Sequence, residues 1–305
     1  HPHANDRHTV FMLEGLRETQ AALAEHGIRM AVTPPTSPDG PSGLRHLAAR
    51  ARLLITEDQP VRPWPRWTAA IASGVPGEVA LVDTACVAPA RLIVGTHDRA
   101  FRFRSAAATA WKDRLDRDWP TASLDAPEAR LEDLPDDTLD LTSIDLGPLV
   151  GGWDIDHTIG PVPDLPGGTT AADARWNTFR ESDLSRYHRR RNNAIDDAGV
   201  SGLSPYLHHG MISPMRIARE AHRAGGEGSE KFLDELLVWR ELAHHFCLHH
   251  PSHDSLDALP SWARKTLDHH RRDERPGRRS WETLARGRTG DRLWDLAQAS
   301  LTRRG

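Results

Sequence analysis

The 305-residue chain is expected to fold as two unlike halves, an α/β half built on a parallel sheet and then an all-α half. Three observations predict this. Short β-like runs alternate with helical stretches between residues 28 and 82. The composition turns acidic, Pro-rich and aperiodic between 105 and 168. From Thr169 onward every apolar pattern has helical spacing. A chain of this length is long enough for two domains with cores of their own.

In the first half, TVFMLEGLRETQAALAE at 9–25 places Phe11, Leu13, Leu16, Ala21, Leu23 and Ala24 on a helical period, and Gly27 closes that helix. Ile28–Val32, Leu53–Thr56 and Val79–Val82 are the expected strands. Ser42–Ala51 and Trp64–Ser73 are the expected helices between them. No GxGxxG follows any of these strands, so the usual dinucleotide fingerprint is absent. The half opens on a helix where such a sheet normally opens on a strand. The boundaries predicted are an α/β domain over 1–104, a linker over 105–168 that ends in GPVPDLPGG, and a helical domain over 169–305.

In the second half, TTAADARWNTFRES begins the helical series, with Thr169 or Thr170 as its cap. SGLSPYLHHGMISP at 201–214 contains Ser-Pro twice, which predicts two helix starts with Ser204 and Ser213 as caps and Gly210 as the stop between them. Ser229 is expected to cap a longer helix that Pro251 ends. SWARKTLDHHRRD and DRLWDLAQASLTRRG complete the set.

Charge is uneven along the chain. Residues 1–170 carry 16 Lys and Arg against 24 Asp and Glu, whereas 171–305 carry 23 against 19 and 11 of the 18 histidines. A basic C-terminal part in a protein of net charge -4 fits a polyanionic partner such as DNA or a solvated surface. No apolar run approaches the ~20 residues of a membrane span. The opening HPHANDRHTVF lacks the apolar segment of a secretory signal. Cys86 and Cys247 are the only cysteines, which argues against a disulfide framework and fits a reducing cytoplasm.

VSGLSPYLHHGMISPMRI, FLDELLVWRELAHHFCLHHPSHDSLDALPSWARKTL and GDRLWDLAQ, in that order and spacing, resemble the DNA photolyase/cryptochrome family. Class II cyclobutane pyrimidine dimer photolyases are the most similar members. HTVFMLEGLRETQAALAEHGIRM, VDTACVAP and LVGGWDIDHTIGPVPDLPGG extend the resemblance over nearly the whole chain. It implies a Rossmann-like α/β antenna-type domain, a long linker and an all-helical domain holding FAD in a folded form. The opening strand and the last helices of that architecture have no counterpart here, so the chain is expected to be an internal piece with both domains incomplete. The implied activity is that of a deoxyribodipyrimidine photo-lyase, in which reduced FAD donates an electron under light to a dimer flipped out of the duplex. A cryptochrome-type FAD photosensor without repair, and an inactive fragment, are the alternatives. A second, antenna chromophore (deazaflavin or folate), damaged DNA as partner and a monomeric state are also implied.

The resemblance carries particular residues. Val200, Ser201, Gly202, Leu203 and Ser204 match the segment along the FAD diphosphate, where a helix start and a close backbone approach suit an anion. Many members have Thr at the place of Val200 and Arg at that of Gly202, so one hydroxyl and one charge are missing. Tyr187 matches a flavin-contacting tyrosine. Glu235, Trp239 and Arg240 lie on the helix that lines the flavin pocket, with Glu241 near the same face. An ordinary i to i+4 pairing network is the alternative for this set. Trp294 matches a tryptophan of the class II electron-transfer chain; on its own it reads as a core residue. Arg190 and Arg191, beside Arg189, fit either a solvated face or phosphate contact. Arg264 and Lys265, with the Arg271–Arg279 run, are the stronger expectation for the DNA backbone. His244, His245, Cys247, His249 and His250 suggest a metal by composition, but structural zinc usually wants paired cysteines, so no metal is expected.

Overall fold

The structure is a computed structural model and describes residues 3–34, 42–117, 123, 134–193 and 196–304. Residues 118–122 and 124–133 of the stretch expected as linker, and Gly305, lie outside the described residues.

Helix α1 spans Asp6–Glu25 and starts where the Asn5 side chain accepts from the His8 amide at 3.0 Å. Gly27 ends it at φ 70°. Helix α2 (Ser42–Ala48), strand β1 (Leu53–Glu57), helix α3 (Trp64–Ala72) and strand β2 (Glu78–Val82) follow in the expected order. The two strands pair in parallel, with Leu53 opposite Glu78 and Glu57 opposite Val82. Ile28–Val32, expected as a further strand, has no ladder. Its backbone groups go elsewhere: the Gln20 amide donates to Met30 O at 3.0 Å, and Leu139 N donates to Val32 O at 2.7 Å. Neither face of the sheet is deeply buried, and Leu53, Ile55 and Leu81 are about half exposed.

Helix α4 (Ala100–Asp116) occupies the start of the expected linker. Phe103, Ala107 and Trp111 recur every fourth residue and are buried, so this segment is a core helix whose four basic residues hid the pattern. Helix α5 (Leu146–Gly151) packs Leu146 and Val150 with Leu13 and Leu141 in a small second core.

The helical half opens with α6 (Thr169–Ser182). Neither expected threonine caps it by its own side chain. Glu18, one α1 turn beyond Glu14, accepts from Thr170 N at 2.9 Å, and Glu14 accepts from Gly167 N at 2.6 Å. Two carboxylates of one helix thus satisfy the start of another. Next come α7 (Tyr187–Arg190), α8 (Ser204–His208) and α9 (Pro214–Ala224). Ser213 caps α9 as expected, accepting from Arg216 N at 3.2 Å. Ser204 makes no cap, because α8 already begins at Ser204 and its cap position is Leu203.

Helix α10 (Gly226–Leu233), a π-helical turn (Asp234–Trp239) and α11 (Arg240–His249) form one rod. The rod begins at Gly225, so Ser229 is a buried helix residue and not its cap. Helices α12 (Ser261–His269), α13 (Trp281–Ala285) and α14 (Arg292–Arg304) complete the chain, and none of the three buries a residue.

The main core draws on both halves of the chain. Val87, Ile93, Phe103 and Trp111 from the first half and Trp176, Tyr187, Leu203, Ile217 and Phe232 from the second belong to one cluster. Linking distant segments into one cluster removes apolar surface that neither half covers alone.

Candidate functional site

The turn before α8 is the most unusual backbone feature among the expected site residues. Gly202 has φ +65°, a region L side chains rarely adopt. Leu203 is buried beneath it, while Val200 and Ser204 face outward. The Arg175 side chain of α6 lies over the turn and its Nε donates to Ser201 O at 2.7 Å. A Cβ on residue 202 would stand 2.6 Å from Arg175 Nη2, so a side chain there would displace the guanidinium. Sequence reasoning missed Arg175, since nothing in the spacing of TTAADARWNTF distinguishes it from any exposed arginine.

Tyr187 is buried, edge-on to Phe179 at 5.7 Å and to Phe232 at 5.8 Å. The Arg191 guanidinium lies 5.8 Å from its ring centre, and Arg191 pairs with Glu235 at 2.9 Å. The Tyr187 hydroxyl, and then the Glu235 carboxylate, hold Arg191 firmly in its charged form. Lys231 also reaches Glu235, at 2.7 Å, and Asp234 takes both Lys231 and Arg104. Tyr187 and Glu235 are therefore brought together, through Arg191.

The remaining residues of the rod point elsewhere. Arg240, expected beside the flavin ring, donates to Ala85 O in the first half. Trp239 is half exposed. Glu241 is 1% exposed and accepts from Val87 N at 2.6 Å, Ala88 N at 3.4 Å and Trp111 Nε1 at 2.7 Å. Burial pushes its carboxyl up to about 7, while the indole and the two amides, all donors, favour the charged form. Across the π turn, Glu235 points to Arg191 and Lys231, whereas Arg240 and Glu241 point to the first half.

Arg190, expected at DNA, is instead paired with Asp183 and, through both nitrogens of its fork, with Asp196 at 2.7 and 2.6 Å. These carboxylates hold it charged and tie the end of α7 to Asp183 and Asp196. Arg264 and Lys265 are exposed on α12, and Arg264 stands 3.7 Å from Asp257. Trp294 is 46% exposed on α14, its indole donating to Leu284 O at 3.2 Å. The histidines of α11 form a ring stack, with His245 4.4 Å from His249 and 5.4 Å from His97. Among the described residues no three His, Cys, Asp or Glu side chains are arranged to hold a metal.

A cleft of 660 Å³ separates β1, α3 and β2 from the end of α11, lined among others by Asp58, Arg62, Arg66, Arg91, Cys247 and His253. A smaller cavity of 260 Å³ lies between α1, the 161–165 turn and α8. Neither is lined by Tyr187 or by residues 200–204. No helix of the described chain is long and apolar enough to cross a membrane.

No protein-family model matches the chain. It is 29% identical to a deoxyribodipyrimidine photo-lyase of Methanothermobacter thermautotrophicus over 305 residues, 98% of this chain and 64% of that one. A deoxyribodipyrimidine photo-lyase of Arabidopsis thaliana is 38% identical over 147 residues, 47% of this chain and 30% of that one. Among solved structures, a bacterial class III photolyase from Agrobacterium tumefaciens shares the fold at TM-score 0.68 and 19% identity, over 98% of this chain and 61% of that one. A Synechocystis cryptochrome does so at TM-score 0.70 and 17% identity, over 97% and 60%. The chain is thus similar to deoxyribodipyrimidine photo-lyases along nearly its whole length and shares the fold of photolyase and cryptochrome structures. It spans less than two thirds of the length of these relatives.

Proposed function

We propose that this chain is the greater part of a class II-like deoxyribodipyrimidine photo-lyase, which splits cyclobutane pyrimidine dimers in DNA under light. The observation that carries the reading is the match to a named photo-lyase along 98% of the chain. FAD is the cofactor this implies, and its light-driven electron donation supplies the chemistry that protein side chains lack.

The chain's own residues then bind and orient. Residues 200–204 form the diphosphate cradle: Gly202, with no Cβ, leaves room for the Arg175 guanidinium against the turn. The Tyr187–Arg191–Glu235 cluster forms a charged wall beside an aromatic nest, suited to positioning a polar ring system. Glu241 and Arg240 act one step further out by locking the rod to the first half. Trp294, half exposed, is suited to exchange an electron with a soluble reductant. The 660 Å³ cleft is the place for a second chromophore. Arg264 and Lys265 on the basic C-terminal surface are the candidates for phosphate contact, which would be salt-sensitive and independent of sequence.

The test is an absorption spectrum of the purified protein after reconstitution with FAD, followed by repair of dimer-containing DNA under blue light. A protein that stays colourless and repairs nothing contradicts the reading. Flavin binding and photoreduction without repair favour a photosensor, the reading that the likeness to a cryptochrome structure supports.

A further inference from the structure

We infer that Arg175, reaching across from α6, supplies the positive charge for the cofactor's diphosphate at the 200–204 turn. The inference rests on the FAD reading above and adds a residue that no motif pointed to. Three observations carry it.

The first is placement. Arg175 Nε is anchored on Ser201 O at 2.7 Å, and Nη2, Nε and Cζ stand 2.6, 2.8 and 2.9 Å from the point where a Cβ of residue 202 would lie. The guanidinium therefore occupies the space that glycine leaves open.

The second is that its charge is not neutralised. Neighbouring arginines of the helical half are paired: Arg180 with Glu220 at 2.8 Å, Arg191 with Glu235, and Arg216 with Asp173. Among the described residues no carboxylate pairs with Arg175, and the nearest acid on its own helix, Asp173, is taken by Arg216. With Nε anchored, the fork keeps further N–H donors on a fixed plane, the geometry that suits phosphate oxygens.

The third is the company it keeps. Ser204 is exposed, and its hydroxyl makes no hydrogen bond among the described residues. The Ser201 hydroxyl accepts only a long bond, 3.4 Å, from Leu203 N. One uncompensated cation and two available hydroxyls beside one turn together match an anion.

The experiment is titration of the full chain with FAD, followed by quenching of flavin fluorescence, at about 50 and about 200 mM salt. R175Q is compared with R175K and the wild type, and circular dichroism confirms that each variant is folded. R175Q should bind FAD about tenfold more weakly at low salt. Its salt dependence should be flatter than the wild type's, because the screened contact is gone. R175K, which keeps a point charge but not the fork, should fall between them. R175Q binding like the wild type at both salt concentrations overturns the inference and leaves the FAD reading intact. So does an equal loss in R175Q and R175K with an unchanged salt dependence, since that marks a merely structural anchor. A wild type that binds no FAD removes the reading and the inference together.

Discussion

The rod from Gly226 to His249 and the three helices after it are built from similar proportions of apolar and charged residues, yet they behave as opposites. The rod buries Phe232, Leu236, Leu237, Val238, Glu241 and His245 against partners on both sides. Helices α12, α13 and α14 bury nothing, and Trp262, Trp281, Leu293 and Leu296 are 70%, 83%, 79% and 60% exposed. Amphipathic sequence therefore makes a helix in both regions, but only the rod has neighbours that convert the pattern into stability. The charges differ in the same way. Glu241 grips three donors in a dry interface, whereas Arg271–Asp268 and Arg286–Glu282 are exposed pairs worth little.

That contrast ranks the expected mutational effects. Glu241→Ala leaves two buried amides and an indole without an acceptor and should destabilise by on the order of 3 kcal/mol, read from urea unfolding. An effect below about 1 kcal/mol would break the comparison. The same residue has a pH signature. Its folded value of about 7 lies above the ordinary 4.5, so the contribution is fully present below 4.5 and is lost as pH rises through 7. The wild type should lose stability relative to Glu241→Gln between those values, and parallel curves would contradict this.

Smaller effects follow. Gly202→Ala forces an L side chain to φ +65° and displaces Arg175, for a loss of about 1–2 kcal/mol. Thermal unfolding measures it, with weaker FAD binding as the accompanying sign. Arg190→Ala frees the end of α7 from Asp183 and Asp196. Its side chain is only a quarter exposed, so about 1 kcal/mol is expected. Limited proteolysis should show faster cutting near the end of α7. Trp281→Ser and Leu293→Ser should each change stability by less than about 0.5 kcal/mol despite removing large apolar groups. A large loss in either would mean that the last helices are covered after all.

Several features were legible because they are local. The spacing of Phe11, Leu13 and Leu16 reveals α1, and Ser213-Pro214 reveals the start of α9 with its capping bond intact. Helix α4 was legible too, in Phe103, Ala107 and Trp111, but the surrounding charge made the segment look like the start of a linker. Ile28–Val32 had the composition of a strand without a partner to pair with, so its backbone bonds were taken up by Gln20 and Leu139. At the candidate site, the 201–204 turn and Tyr187 stood out through motif order. Arg175 did not, because its meaning depends on where α6 lies relative to a turn about 27 residues away.

The order of amino acids alone therefore settles most of the helices, the Ser213 cap and the resemblance carried by the motifs, since periodicity, turn chemistry and motif spacing are written in neighbouring residues. Tertiary packing decides the rest. Glu235 meets Arg191, while Arg240 and Glu241 meet the first half. One core joins both halves of the chain. A distant arginine stands over Gly202. Each of these depends on which surfaces meet, and burial energy acts on surfaces in space, irrespective of their distance along the chain.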